Sequence, residues 1–260
     1  MGTVISIANQ KGGVGKTTTA VNLAASLAIG EIRTLLVDAD PQGNASSGVG
    51  YGKEKEEVRE NLYHTLINKT SIRQIIRDTE IPHLKVVTAN TDLIGAEIEL
   101  IHEIAREKKL AQVLKQIVPE YDYIFIDCPP SLGLLTVNAL AASDSVLIPL
   151  QCEYYAMEGL TQLLQTIRLV KEHLNPDLRI EGILLTMLDS RNNLCKQVAE
   201  EVRTHFKNTV FSTIIPRNIR LSEAPSYGKP VILYDARSTG AQSYIELANE
   251  IIMNGKRTHG

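Results

Sequence analysis

Gln10-Lys11-Gly12-Gly13-Val14-Gly15-Lys16-Thr17-Thr18 follows a short apolar run, Val4 to Ala8, and precedes an apolar segment from Ala20 to Leu27. A strand, a glycine-rich turn and a helix in that order make a phosphate-binding loop. The glycines let backbone N–H groups turn inward around phosphate oxygens, and the helix N-terminus adds its dipole. In such a loop Lys16 reaches the β- and γ-phosphates and the Thr17 hydroxyl ligates Mg²⁺. One departure matters. The standard pattern has Gly five positions before Gly15, where this chain has Gln10, and a second lysine, Lys11, stands at the front of the loop. A second fixed cation beside a triphosphate stabilises charge developing on the γ-phosphoryl in the transition state. Lys11 lies at the opposite end of the loop from Lys16, so it is read as acting across a subunit interface, as arginine fingers do in trans.

Outward from the loop, short apolar runs alternate with helix-length amphipathic segments. The runs are Val4–Ala8, Thr34–Val37, Leu84–Val87, Tyr123–Ile126, Ser145–Leu150 and Ile180–Leu185. They are nearly continuous in apolar residues, as strands buried on both faces of a parallel sheet must be. Leu160, Leu163, Leu164, Ile167 and Val170 mark one helix face, and Leu194, Val198 and Val202 mark another. The alternation predicts an α/β fold: a doubly wound, mostly parallel sheet with helices on both faces. With no linker or repeat, residues 1–255 read as a single domain. The last helix, from Ala241 to Met253, is expected to stop at Asn254-Gly255, leaving a frayed polar tail over 256–260. The most irregular stretch, Gly43 to Glu60, holds the charge run Lys53 to Glu57, which reads as solvated.

Composition narrows the function. Lys and Arg number 27 against 30 Asp and Glu, a formal net charge of −3, with no Trp and few aromatics. That argues against a strongly basic, always-on nucleic-acid binder and against a groove of stacking rings. It leaves room for a local patch of arginines that acts only when two copies align. The start matches a loose myristoylation pattern through Gly2 and Ser6, but the strand expected from Val4 needs those residues. No run approaches a membrane-spanning helix, and no basic and apolar leader precedes the first strand. Cys128, Cys152 and Cys195 are scattered, as expected of reduced thiols in a cytoplasm.

Two carboxylates close the predicted site at strand ends, where ligands collect in open α/β sheets. Tyr123-Ile124-Phe125-Ile126-Asp127 ends an apolar run in an acid, making Asp127 the natural partner of the Mg²⁺ hydration shell. Asp40 lies just past another strand, before Pro41, where a carboxylate orients and activates the attacking water; Asp38 supports it from behind. Alone, an Asp after a strand is as readily a turn or cap residue. Beside a phosphate loop it gains a reaction to serve.

Together these motifs carry a resemblance. Lys11-Gly-Gly-Val-Gly-Lys-Thr-Thr resembles a deviant Walker A box, Asp38-Ala-Asp-Pro-Gln-Gly-Asn a switch I motif, and Ile126-Asp-Cys-Pro-Pro-Ser a switch II/Walker B motif. The chain is identified from them as a member of the ParA/MinD superfamily of P-loop ATPases. Gln151 to Leu160 and Ile215 to Ser226 point to its chromosomal ParA-type members. The resemblance implies that Lys11, Gly12, Gly13, Val14, Gly15, Lys16, Thr17 and Thr18 cradle ATP. Lys11, Lys16 and Asp40 would be catalytic, Thr17 and Asp127 would hold Mg²⁺, and Pro216 and Asn218 would meet the adenine end. It further implies an ATP-dependent homodimer that binds double-stranded DNA without sequence preference. Arg191 leads as the DNA contact, with Arg217 and Arg220 as weaker candidates. A ParB-type centromere-binding protein would stimulate hydrolysis and release, giving chromosome or plasmid segregation by a cytoplasmic protein that associates with the nucleoid when ATP is bound. An N-terminal operator-reading domain is not expected, because the first strand starts at residue 4. Two rivals remain. A MinD-type membrane-cycling ATPase needs a basic amphipathic final helix, whereas this one carries Glu246 and Glu250. An ATP-dependent small-molecule enzyme needs a substrate pocket beside the γ-phosphate. An iron–sulfur relative would need suitably placed cysteines, which the sequence lacks.

Overall fold

The computed structural model describes residues 2–52, 60–153, 156–189 and 191–258. The charge run from Lys53 to Glu57 lies outside them. Eight strands form one sheet: β1 (Thr3–Ile7), β2 (Thr34–Asp38), β3 (Ile76–Asp78), β4 (Leu84–Val87), β5 (Tyr123–Asp127), β6 (Ser145–Gln151), β7 (Arg179–Leu188) and β8 (Val210–Pro216). Their order is β3-β4-β2-β5-β1-β6-β7-β8. Every neighbouring pair is parallel except β3 with β4. Winding reverses at β1, so the crevice of a doubly wound sheet opens at the carboxyl ends of β1 and its neighbours.

The continuous apolar runs have a simple cause. Successive residues point to opposite faces, and each face has its own core. Leu35 and Val37 enter one core while Leu36 enters the other; Ile124 and Ile126 are likewise split from Phe125, and Val146 and Ile148 from Leu147. The first core is closed by Leu160, Leu163, Ile167 and Val170 of the helix Ala156–His173. The second is closed by Leu23 and Leu27 of helix α1 (Lys16–Ile29) and by Tyr244, Leu247 and Ile251 of the last helix.

Several sequence expectations are corrected. Helix α1 begins at Lys16 rather than Ala20, directly out of the glycine loop. In the helix Asn193–Phe206 the buried face is Cys195, Val198, Ala199 and Val202, while Leu194 is 44% exposed. Asn192 shifts that face, because its side chain accepts from the Leu194 and Cys195 amides and fixes where the first turn begins. The last helix runs from Thr239 to Thr258, through the expected stop at Asn254-Gly255 and over most of the expected frayed tail. A glycine stop needs the left-handed conformation, and Gly255 is absent from the positive-φ residues. The edge strands β3 and β8 carry no continuous apolar run and escaped the sequence reading. β3 has Arg77 at its centre, and Ser212 and Thr213 interrupt β8.

Candidate active site

The loop from Gln10 to Gly15 leaves β1 and enters α1 through two left-handed residues, Gly13 at φ 75° and Gly15 at φ 89°. A side chain at either position would strain the turn. The loop is held from across the sheet, where the Thr186 hydroxyl at the end of β7 donates to the Val14 carbonyl at 2.8 Å. Thr186 was missed in the sequence because it lies one residue past the apolar run that defines its strand.

The loop borders a cleft of about 580 Å³. Gly12, Gly13, Gly15, Lys16, Thr17 and Thr18 line one wall, with Asp40 and Gln42 beside them; Pro216, Arg217 and Asn218 line the far wall. Met187, with φ 50°, contributes from the β7 end and was not foreseen. Buried Val14 anchors the loop beneath. Lys11 is not among the lining residues; its ammonium pairs with Glu153 in the loop after β6.

The acids converge through strand register. Asp127 sits directly opposite Asp38 on β2 and Ile7 on β1. Asp38 is buried and fully engaged: one oxygen accepts from the Ser46 amide and hydroxyl, both at 2.7 Å, and the other from the Asp40 amide at 3.2 Å. Burial nonetheless pushes its carboxyl up to about 6. Asp40 stands in a turn, its Oδ1 accepting from the Gln42 amide at 2.9 Å. Asp127 is different. It is fully buried and neither oxygen makes a hydrogen bond of normal geometry. Burial first, and then the Asp38 charge, raise it well above the usual carboxylate range, while the Thr17 hydroxyl and Lys16 act in the opposite direction. Burial also lowers the Lys16 ammonium, against the pull of Asp127 and Asp40, and its one hydrogen bond is to the Lys11 carbonyl at 3.1 Å.

A buried carboxylate without donors and a buried ammonium bonded only to a carbonyl are incomplete sites of opposite sign. A divalent cation on the first and a phosphate on the second would satisfy both. Mg²⁺ suits the donor set, because it takes one or two carboxylates and completes its shell with a hydroxyl, phosphate oxygens and water.

At the far wall, Asn218 caps the short helix Ile219–Glu223, its Oδ1 accepting from the Arg220 amide at 2.9 Å. Its Nδ2 donates to the Thr239 hydroxyl at 2.8 Å, so the side chain's polar atoms serve this turn. Of the three arginines, Arg217 lines the cleft. Arg191 is 88% exposed and bidentate to Asp189. Arg220 is held between Glu223 at 2.8 Å and Asp235 at 3.3 Å. Its charge is the most thoroughly neutralised of the three.

Residues 2–180 match the AAA-domain family model. The chain is 60% identical over 252 residues to the chromosome partitioning protein ParA of Myxococcus xanthus, covering 97% of this chain and 88% of that protein. It is 60% identical over 255 residues to the sporulation initiation inhibitor protein Soj of Bacillus subtilis, covering 98% and 100%. Among solved structures, a cobyrinic acid a,c-diamide synthase from Mycobacterium smegmatis with bound ATP analogue and magnesium superposes with TM-score 0.86 at 35% identity, covering 98% and 96%. Fold and site thus define a P-loop ATPase of the deviant Walker A class. The chain belongs to the AAA-domain family and, within it, to the ParA/Soj group of chromosome-partitioning ATPases.

Proposed function

We propose that the chain is a nucleotide-gated DNA-partitioning switch in which Mg²⁺-ATP in the 580 Å³ cleft drives two copies together. The orphaned carboxylate of Asp127 beside Lys16 carries this reading, because it calls for a metal and a phosphate at one place. Lys16 holds the β- and γ-phosphates, Thr17 and Asp127 hold Mg²⁺, and residues 12–18 cradle the phosphates with backbone amides. Bound there, Mg²⁺ offsets charge on the phosphates as the terminal bond breaks. Asp40 orients the attacking water with Oδ2, since Oδ1 is occupied by the Gln42 amide. Lys11 acts from one copy on the nucleotide of the other. Pro216 and Asn218 border the adenine end by shape, the Asn218 side chain being engaged in its own turn.

The paired copies bind double-stranded DNA through phosphate contacts. Arg191 is the main contact, Arg217 adjoins it, and Arg220 contributes least because two carboxylates hold it. A ParB-type partner accelerates hydrolysis and release, and the protein works in the cytoplasm, associated with the nucleoid while ATP is bound. Among the described residues no helix is long and apolar enough to cross a membrane. Tyr244, Leu247 and Ile251 of the last helix are spent in the core rather than offered to lipid, which disfavours membrane cycling. The synthase at 35% identity keeps a small-molecule enzyme as the second reading; the partitioning relatives at 60% outweigh it.

The test is DNA binding against salt with ATP, ADP and no nucleotide. A steep salt dependence with ATP alone is expected. Equal binding in all three states, or metabolite turnover without any effect of DNA, would overturn the reading.

A further inference from the structure

Lys11 is the loop residue that the cleft does not use. Its backbone is fixed twice: the N–H donates to Asn9 Oδ1 at 3.0 Å, and the carbonyl accepts from Lys16 Nζ at 3.1 Å. Asn9 in turn donates to the Pro149 carbonyl on β6 at 2.7 Å, tying the front of the loop to the strand that leads into Glu153. With both backbones set, the Lys11 ammonium meets the Glu153 carboxylate, and no other ion pair is made by either residue among the described residues. The meeting is therefore built by buried bonds beneath it rather than by chance contact of two long side chains.

We propose that Glu153 is a positioning residue, a counter-ion in cis that holds Lys11 off the nucleotide of a second copy until the two chains close. The inference rests on the proposed pairing of two copies. A lysine that acts in trans must leave its own chain's carboxylate, so the ion pair raises the threshold for closure. The side chains are 35% and 48% exposed, which limits the effect: pairs in this setting are worth at most about 1 kcal/mol, or about fivefold in an equilibrium. Glu153 tunes the ATP response rather than switching it on or off.

The test measures assembly by sedimentation velocity with a non-hydrolysable ATP analogue and Mg²⁺. At about 50 mM salt, Glu153→Gln is expected to halve-assemble at a protein concentration up to about fivefold lower than wild type. The gain should fade at about 0.5 M salt, where screening opens the pair in the wild type. Glu153→Asp, which keeps the charge, should stay near wild type, and Glu153→Gln should bring no gain in a Lys11→Ala background. Equal or weaker assembly of Glu153→Gln at low salt, with wild type assembling, would overturn the latch alone. If wild type itself fails to pair with the analogue, the two-copy reading fails and the latch falls with it.

Discussion

Asp127 shows what a functional residue costs a fold. Its carboxylate is sealed between Asp38 and the phosphate loop with no donor on either oxygen. A fold selected only for stability would place a neutral or apolar side chain there, because an unpaired buried charge is among the more expensive features a core can hold. Whether ionised or forced to take up a proton, the group opposes folding until a cation compensates it. Asp127→Asn is therefore expected to stabilise the nucleotide-free protein by about 1–3 kcal/mol, seen as a higher Tm, while abolishing Mg²⁺-dependent hydrolysis. A lower Tm would mean that Asp127 is satisfied in the free protein and that its orphaned oxygens are no guide to metal binding. Asp38, although also pushed up, has three hydrogen bonds and should behave as a support of the turn that carries Asp40.

Among the elements, β8 is the most exposed to misfolding, for it is a sheet edge with free amides. The last helix covers that edge. Both oxygens of Glu250 accept from it, from the Ser212 amide at 2.7 Å and the Thr213 amide at 2.9 Å. Burial works to raise this carboxyl, but the amide bonds outweigh it and hold the group below its ordinary value of 4.5. Its stabilisation is thus present above about pH 4.5 and is lost as pH falls through the lowered folded value. Glu250→Gln should cost about 1 kcal/mol at pH 7 after solvent screening, and its unfolding curve should merge with that of wild type near pH 3. A difference that persists in acid would assign the loss to packing instead. The same edge explains what the sequence concealed. Strands buried on both faces announce themselves as apolar runs, but β8 is broken by Ser212 and Thr213, whose amides are satisfied by a residue 38 positions away. The site divides in the same manner. Residues 11–18, Asp40 and Asp127 were legible because each lies in a contiguous motif; Thr186 and Glu153 were not, since their partners stand 172 and 142 positions distant.

At the scale of the molecule, a net charge of −3 means that DNA binding must be local and conditional. One copy offers Arg191 on an exposed loop, but Asp189 grips both ends of its guanidinium, and that arginine holds Asp189 down to about 2. A lone, half-neutralised arginine on an anionic chain gains little from a duplex. Two copies brought together double the contact at no added long-range repulsion beyond what salt screens. If each Arg191 meets one phosphate, Arg191→Ala should flatten the logarithmic salt slope by about 1 per copy and about 2 per pair. Binding should weaken uniformly across sequences, since phosphate contacts carry no base information. Arg191→Glu should go further and remove measurable binding, with ATP-dependent sedimentation of the pair intact in both variants. Loss of pairing would move Arg191 from the DNA face to the interface between copies. An unchanged slope with weakened binding would mean that Arg191 only positions its loop, leaving Arg217, which has no ion pair among the described residues, to make the phosphate contact.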